Sequence, residues 1–229
     1  MGVSVDLRLV RLLQLASPTL PVGAFSYSQG LEAAVESGIV HDASTARQWI
    51  ADVLEFSMGR TESPALLRLA KAWQDRNGQD VRRWNELFLA AREAAELRAE
   101  TVQMGYSMRR LMGSLDGFDA CELAVLDAVE EPAFPAVFSF AAVQWQIAPR
   151  DALLAYLWAW LENQVMAALK AVPLGQTDGQ RMLLALGGTL PAIADAAFGI
   201  ADDGIGGFAP GLALASSRHE TQYSRIFRS

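Results

Sequence analysis

"DALLAYLWAWLENQVMAALKA", residues 151–171, is apolar on nearly every side of a helical projection. A surface helix keeps a polar face, so this stretch is predicted to be a central, buried helix. Ala148-Pro149 supplies its start, because proline is pre-organised for the first helical position. Pro173 and Gly175 supply its end. Working outward, the neighbouring segments show three- and four-residue apolar spacing. In "STARQWIADVLEFSMG" (44–59) the stripe is Trp49, Ile50, Val53, Leu54 and Met58. From Trp84 it continues through Leu87, Phe88, Ala91 and Ala95, and near the end it runs Leu183, Leu186, Leu190, Ile193, Ala194, Ala197. Such spacings line one face of a helix. No stretch alternates with a two-residue period between turn signals, so no strand is predicted.

The expectation is an all-α fold, a single helical domain of about eight to ten helices, with a partner-docking C-terminal tail. Ser63-Pro64 is expected to cap and open one helix, and Pro132 and Pro135 to bracket a break. In "LASPTLPVGAFSYSQGLEAAVESG" (15–38), Pro18 and Pro21 form a stiff turn. Ser26 and Gln29 have capping-box spacing, which predicts a helix from about Tyr27 to Gly38 with Gly30 in its first turns. Glycine there costs about 0.5–1 kcal/mol against alanine, for which close approach of another backbone would compensate. "IADDGIGGFAPG" (200–211) has the glycine content of a linker, so the chain divides into a domain at 1–203 and a linker with docking segment at 204–229.

The chain has 229 residues, about half of them apolar, and a formal net charge of −7. An acidic body is a poor match for nucleic-acid phosphates. The tail "SSRHETQYSRIFRS" (216–229) runs against that charge, with Arg218, Arg225 and Arg228 against Glu220. Cys121 is the only cysteine, which excludes an internal disulfide and suits a reducing compartment. The N-terminus lacks signal-peptide and myristoylation patterns. "ALLAYLWAWLENQVMAAL" is split by Glu162, Asn163 and Gln164 after too few apolar residues to span a bilayer. A cytoplasmic protein without membrane contact is expected.

Several chemistries are excluded by their missing residues. Lys71 and Lys170 are each followed by alanine, so there is no phosphate-binding Gly-Lys-Ser/Thr loop. "HETQY" at 219 begins like a zinc-protease helix, but Tyr223 occupies the position of the second histidine. There is no Gly-x-Ser-x-Gly elbow. His41, His219 and Cys121 are scattered and too few for a tight nickel or zinc site. Glu93, Glu96 and Glu100 share a helical face, with Arg92 four residues before Glu96, and are expected to form a solvated or partner-facing charged surface. Lys170 is open to two readings: a snorkelling lysine near a helix C-terminus, or a contact to an acidic partner or phosphate. No catalytic residue, metal ligand or cofactor is expected.

"LLQLASPTLPVGAFSYSQGLE" (12–32) and "ASSRHETQYSRIFRS" (215–229) closely resemble the UreF family of urease accessory proteins. "AREAAELRAE" (91–100) and "ENQVMAALKAVPLGQ" (162–176) resemble it more weakly. The resemblance implies an all-α, cytoplasmic, dimeric, non-enzymatic protein. It further implies a scaffold that bridges UreD (UreH in some organisms) and the GTPase UreG, and regulates GTP-dependent nickel insertion into apo-urease. On that basis the partner-binding residues are Pro21, Gly23, Phe25, Ser28, Gln29, Gly30 and Glu32 in the N-terminal motif, which also serves the homodimer. They continue with Lys170, tied to control of UreG, and with Arg218, His219, Glu220, Gln222, Tyr223, Arg225 and Phe227 in the UreD/UreH-recognising tail. Two alternatives stand beside it: a helical nickel-binding carrier using His219 and His41, and an enzyme with a site near Glu220 and His219. The tail itself is expected to be a tethered peptide that orders when its partner binds.

Overall fold

A computed structural model describes residues 4–207 and 209–229; Phe208 of the glycine-rich stretch and Gly2 of the N-terminal pattern lie outside the described residues. The chain is all-α, and among the described residues there is no strand. Its α-helices are α1 (Val5–Ala16), α2 (Leu31–Glu36), α3 (Ala43–Val53), α4 (Ser63–Gln74), α5 (Gly78–Ala90) and α6 (Ala95–Ser114). They continue as α7 (Ala120–Asp127), α8 (Phe134–Gln144), α9 (Pro149–Ala171), α10 (Gln176–Gly187), α11 (Leu190–Phe198) and α12 (Pro210–His219). A π-helical stretch, Leu54–Glu62, joins α3 to α4 without a break. Only Gly188 and Thr189 separate α10 from α11.

The segment 151–171 is the predicted central helix. α9 packs against α1, α2, α3, α4, α8, α10 and α11. Leu153, Leu157, Leu161, Val165 and Ala168 are buried along one face, while Trp158 and Met166 on the other retain exposure. The second core helix is α8, whose residues from Pro135 to Ala142 are all buried between α4 and α6. α6 crosses the entry to α8 so closely that a Cβ on Gly105 would sit 1.8 Å from the Pro132 carbonyl oxygen. Glycine is the residue that permits that crossing.

Three local expectations are corrected. Ser63 does not cap α4: it continues the helix from the π-helical stretch, and its buried hydroxyl has no partner. The wider π turn accommodates Pro64, which has no N–H to give the ladder and would clash in a tight α turn. The second helix starts at Leu31 instead of near Tyr27, because Gln29 and Gly30 adopt positive φ values of 51° and 76°. Its N-cap is Gly30, which has no side chain to cap with; Ser28 Oγ accepts from Glu32 N at 3.3 Å, and Ser26 and Gln29 form no capping box. The segment with the hydropathy of a membrane span is Gln176–Phe198, mean 1.2, rather than one within 152–169. It folds as α10 and α11 against α9, with Leu184 and Phe198 outward.

Candidate functional site

The tail is folded onto the domain. α12 packs on α2 and α6. The Cβ that Gly30 lacks would lie 3.1 Å from Ser216 N and 3.1 Å from Ala215 Cβ, so Gly30 permits the close approach of α12. Beyond α12 the chain doubles back along the N-terminal motif. Arg228 N donates to Ser26 O at 2.8 Å, and Ser28 N and Ser28 Oγ both donate to Ser229 O at 2.6 Å. The glycine-rich stretch before α12 is also packed, with Gly206 N donating to Arg60 O and Asp202 paired with Arg68 at 2.8 Å. The described residues of 204–229 therefore lie against the described residues of the 1–203 body, and the tail is folded without a partner.

Carboxylates hold the tail. Glu32, early in α2, accepts from Ile226 N at 2.6 Å and Phe227 N at 2.9 Å, and faces His219 Nε2 at 3.2 Å. Glu96 on α6 faces His219 Nδ1 at 2.7 Å and accepts from Arg225 Nη1 at 2.6 Å. Glu100, one turn further, accepts from Ser229 Oγ at 2.9 Å and Gln29 Nε2 at 2.7 Å. Gln29 Oε1 accepts from the Trp160 indole of α9 at 2.7 Å. Burial pushes the Glu100 carboxyl up to about 7, against the lowering effect of Gln29 and Ser229. Glu220 accepts from Ala95 N at 3.0 Å, a negative charge at the positive end of α6. Charge-assisted bonds of this kind are about twice as strong as neutral ones.

The predicted residues therefore divide. Ser28, Gln29, Gly30, Glu32, His219, Glu220, Arg225 and Phe227 meet in one clasp of motif against tail. Pro21, Phe25, Arg218 and Tyr223 face solvent around it, with Tyr223 fully exposed. Gly23 takes a φ of 82° before a 3₁₀ turn at Ala24–Ser26, which sets Phe25 outward. Gln222 donates from Nε2 to Ser224 O and shapes the turn. Lys170 is exposed, with Nζ 5.6 Å from the centre of the Phe227 ring, so it joins the same surface.

The acidic helix face is corrected. Glu93 precedes α6, and Arg92 pairs with Glu62 at 2.6 Å instead of with Glu96. Glu62 also accepts from Tyr156 Oη at 2.7 Å, and burial raises that phenol well above its usual range, with Glu62 adding to the effect. These groups floor a cavity of about 300 Å³ between the motif, α1, α6 and α9, walled by Leu20, Phe25, Met104 and Trp160. Glu96 and Glu100 receive the tail. Sequence reasoning missed them as site residues, although a basic tail on an acidic body was the available signal. His41 Nδ1 lies 3.2 Å from Gly38 O at an exposed turn, and among the described residues no group of three or more His, Cys, Asp or Glu is placed to hold a metal.

The sequence model of the UreF family matches residues 40–187. The chain belongs to the UreF family. It is 58% identical over 225 residues to the urease accessory protein UreF of Azoarcus sp. (strain BH72), covering 97% of this chain and 96% of that one. It is 54% identical over 224 residues to the UreF protein of Dechloromonas aromatica (strain RCB), covering 97% and 98%. With the UreF protein of Methylobacillus flagellatus the identity is 50% over 221 residues, covering 96% and 97%. The clasp is built largely from residues outside the 40–187 span of the family model, and the alignments to these UreF proteins extend past that span at both ends.

Proposed function

We propose that this chain is a non-catalytic scaffold of urease maturation, working in the cytoplasm, that bridges UreD/UreH and the GTPase UreG and regulates GTP-dependent nickel insertion into apo-urease. The supporting observation is that the two end motifs and Lys170 converge on one surface. Arg218, Tyr223 and Ile226 stand out from the folded tail, with Phe25 and Lys170 beside it. Exposed aromatics and arginines are typical anchors of protein interfaces. A buried clasp beneath them fixes their geometry before any partner arrives, which lowers the ordering cost of docking. His219 has carboxylates on both ring nitrogens, so its role in this reading is structural and not nickel carriage.

A second face suits a second copy of the chain. α1 carries Val5, Leu9 and Leu13 at four-residue spacing, all more than half exposed, with Val10 beside them. An apolar helical stripe of that kind buries well against its own two-fold mate.

The test mixes the chain with UreD and UreG, with and without GTP. Tyr223→Ala is expected to leave the fold intact, since the ring is fully exposed, and to weaken UreD capture about tenfold or more, an interface loss of at least ~1.4 kcal/mol. Lys170→Ala is expected to alter GTP hydrolysis and urease activation without altering UreD capture. Unchanged capture in the first and unchanged hydrolysis and activation in the second would refute the bridging role.

A further inference from the structure

His219 is wholly enclosed, and each of its ring nitrogens meets a carboxylate: Glu96 at Nδ1, 2.7 Å, and Glu32 at Nε2, 3.2 Å. An ionised carboxylate only accepts hydrogen bonds, and a neutral imidazole has one N–H and one lone pair. A neutral ring would set its lone pair against one of the two glutamates. A ring protonated on both nitrogens satisfies both. The other donors at the site favour ionised glutamates. The Ile226 and Phe227 N–H groups converge on Glu32, and the Arg225 guanidinium binds Glu96. With a doubly protonated ring, two carboxylates face two cations; without it, the buried group carries an uncompensated negative charge, which is costly at low dielectric.

These are the charged groups that touch the ring or its two partners: Glu32 from α2, Glu96 from α6 and Arg225 from the tail. Farther out along the clasp lie Glu100 on α6, Glu220 of the tail against the N-terminus of α6, Lys170 on α9 over Phe227, and Arg228 against the Tyr27 hydroxyl.

We infer that His219 is the positioning residue of the docking surface: its ring, protonated on both nitrogens, ties Glu32 of α2 to Glu96 of α6 and so holds the docked tail. Docking of the tail has a pH dependence through Glu100, whose carboxyl is pushed up to about 7 by burial under the clasp, so that the docked state favours its protonated form and docking weakens as pH rises toward 7. The inference deepens the reading of the tail as a partner surface, and rests on that reading for its consequence alone; the His219 contacts themselves belong to the isolated chain.

Nuclear magnetic resonance of the full chain carrying ¹⁵N-histidine tests it without any partner. There are only two histidines, and the exposed His41 is an internal reference. With the tail docked, both His219 ring nitrogens are expected to bear protons, as two carboxylate partners require. Protection of the Ile226 and Phe227 amides from exchange reports in the same sample that the tail is docked. Glu96→Gln supplies an amide N–H that can donate to a neutral ring and an oxygen that still accepts from Arg225. In that variant the ring is expected to be neutral, with one nitrogen bare, and the tail still docked. A neutral, single-tautomer His219 beneath a docked tail in the wild type would overturn the inference. So would a ring that stays protonated on both nitrogens in Glu96→Gln.

Discussion

Glu32→Gln isolates the clasp from the rest of the fold. The substitution preserves size and shape but exchanges one acceptor oxygen for an amide NH₂. In the wild type Oε1 accepts from Ile226 N at 2.6 Å, while Oε2 accepts from Phe227 N at 2.9 Å and His219 Nε2 at 3.2 Å. Whichever way the glutamine amide turns, its NH₂ points at a backbone N–H, either the part-buried one of Ile226 or the buried one of Phe227. One donor is then left unsatisfied, costing about 1–3 kcal/mol, and the remaining bond loses its charge assistance. The His219 ring also loses one of its two compensating charges. Together these amount to ~3 kcal/mol against tail docking, or roughly a hundredfold in the equilibrium. The measurement is amide hydrogen exchange at Ile226, Phe227 and Ser28, with the α8 core amides as control. Tail protection is expected to fall about a hundredfold while α8 protection is unchanged. A fall of less than about threefold would mean that Phe227 burial and the Ser28–Ser229 bonds hold the tail without Glu32, and the carboxylate argument would fail.

Two further outcomes follow from buried groups. Burial raises the folded-state pKa of Glu100 to about 7, above the ordinary carboxyl range, so its contribution to stability is present in acid and is lost as pH rises to about 7. Glu100→Gln is therefore expected to gain on the wild type between about pH 5 and 8 by a few kcal/mol, measured by urea unfolding at each pH; a constant difference would contradict this. Gly105→Ala places a methyl 1.8 Å from the Pro132 carbonyl oxygen, where backbone must move. A loss of about 3 kcal/mol and a melting temperature several degrees lower are expected, and an unchanged melting curve would show that α6 and the α8 entry separate easily.

The helical content was legible because it is a local property. The apolar periods of α3, α5, α9, α10 and α11 are written in consecutive residues, and Gly38 ends α2 where the sequence placed it, at φ 72°. What failed was a capping choice that depends on distant chain. Ser26-x-x-Gln29 has the spacing of a box, but Gln29 is drawn to Trp160 and Glu100, and the Ser28 backbone to Ser229. Likewise Arg92 has Glu96 four residues on, yet takes Glu62 from the π-helical stretch because both are buried together. A local rule counts only the partners within one turn, whereas a buried charge takes the partner that desolvates with it.

The sequence by itself determined that the chain is all-α, that it has no Gly-Lys-Ser/Thr loop, Gly-x-Ser-x-Gly elbow or His-Glu-x-x-His pair, and that its two ends carry the chemistry worth attention. Those follow from residue types and spacings over a few turns. Only the tertiary structure decided that the two ends are one site. Motif and tail are separated by about the whole chain, and the charges joining them, Glu96 and Glu100 with His219 and Arg225, sit on elements more than a hundred residues apart. Nothing in either stretch states that pairing. It arises because α9 and α6 bring α2 and α12 together, and because a buried carboxylate is stable there only with the tail's donors upon it.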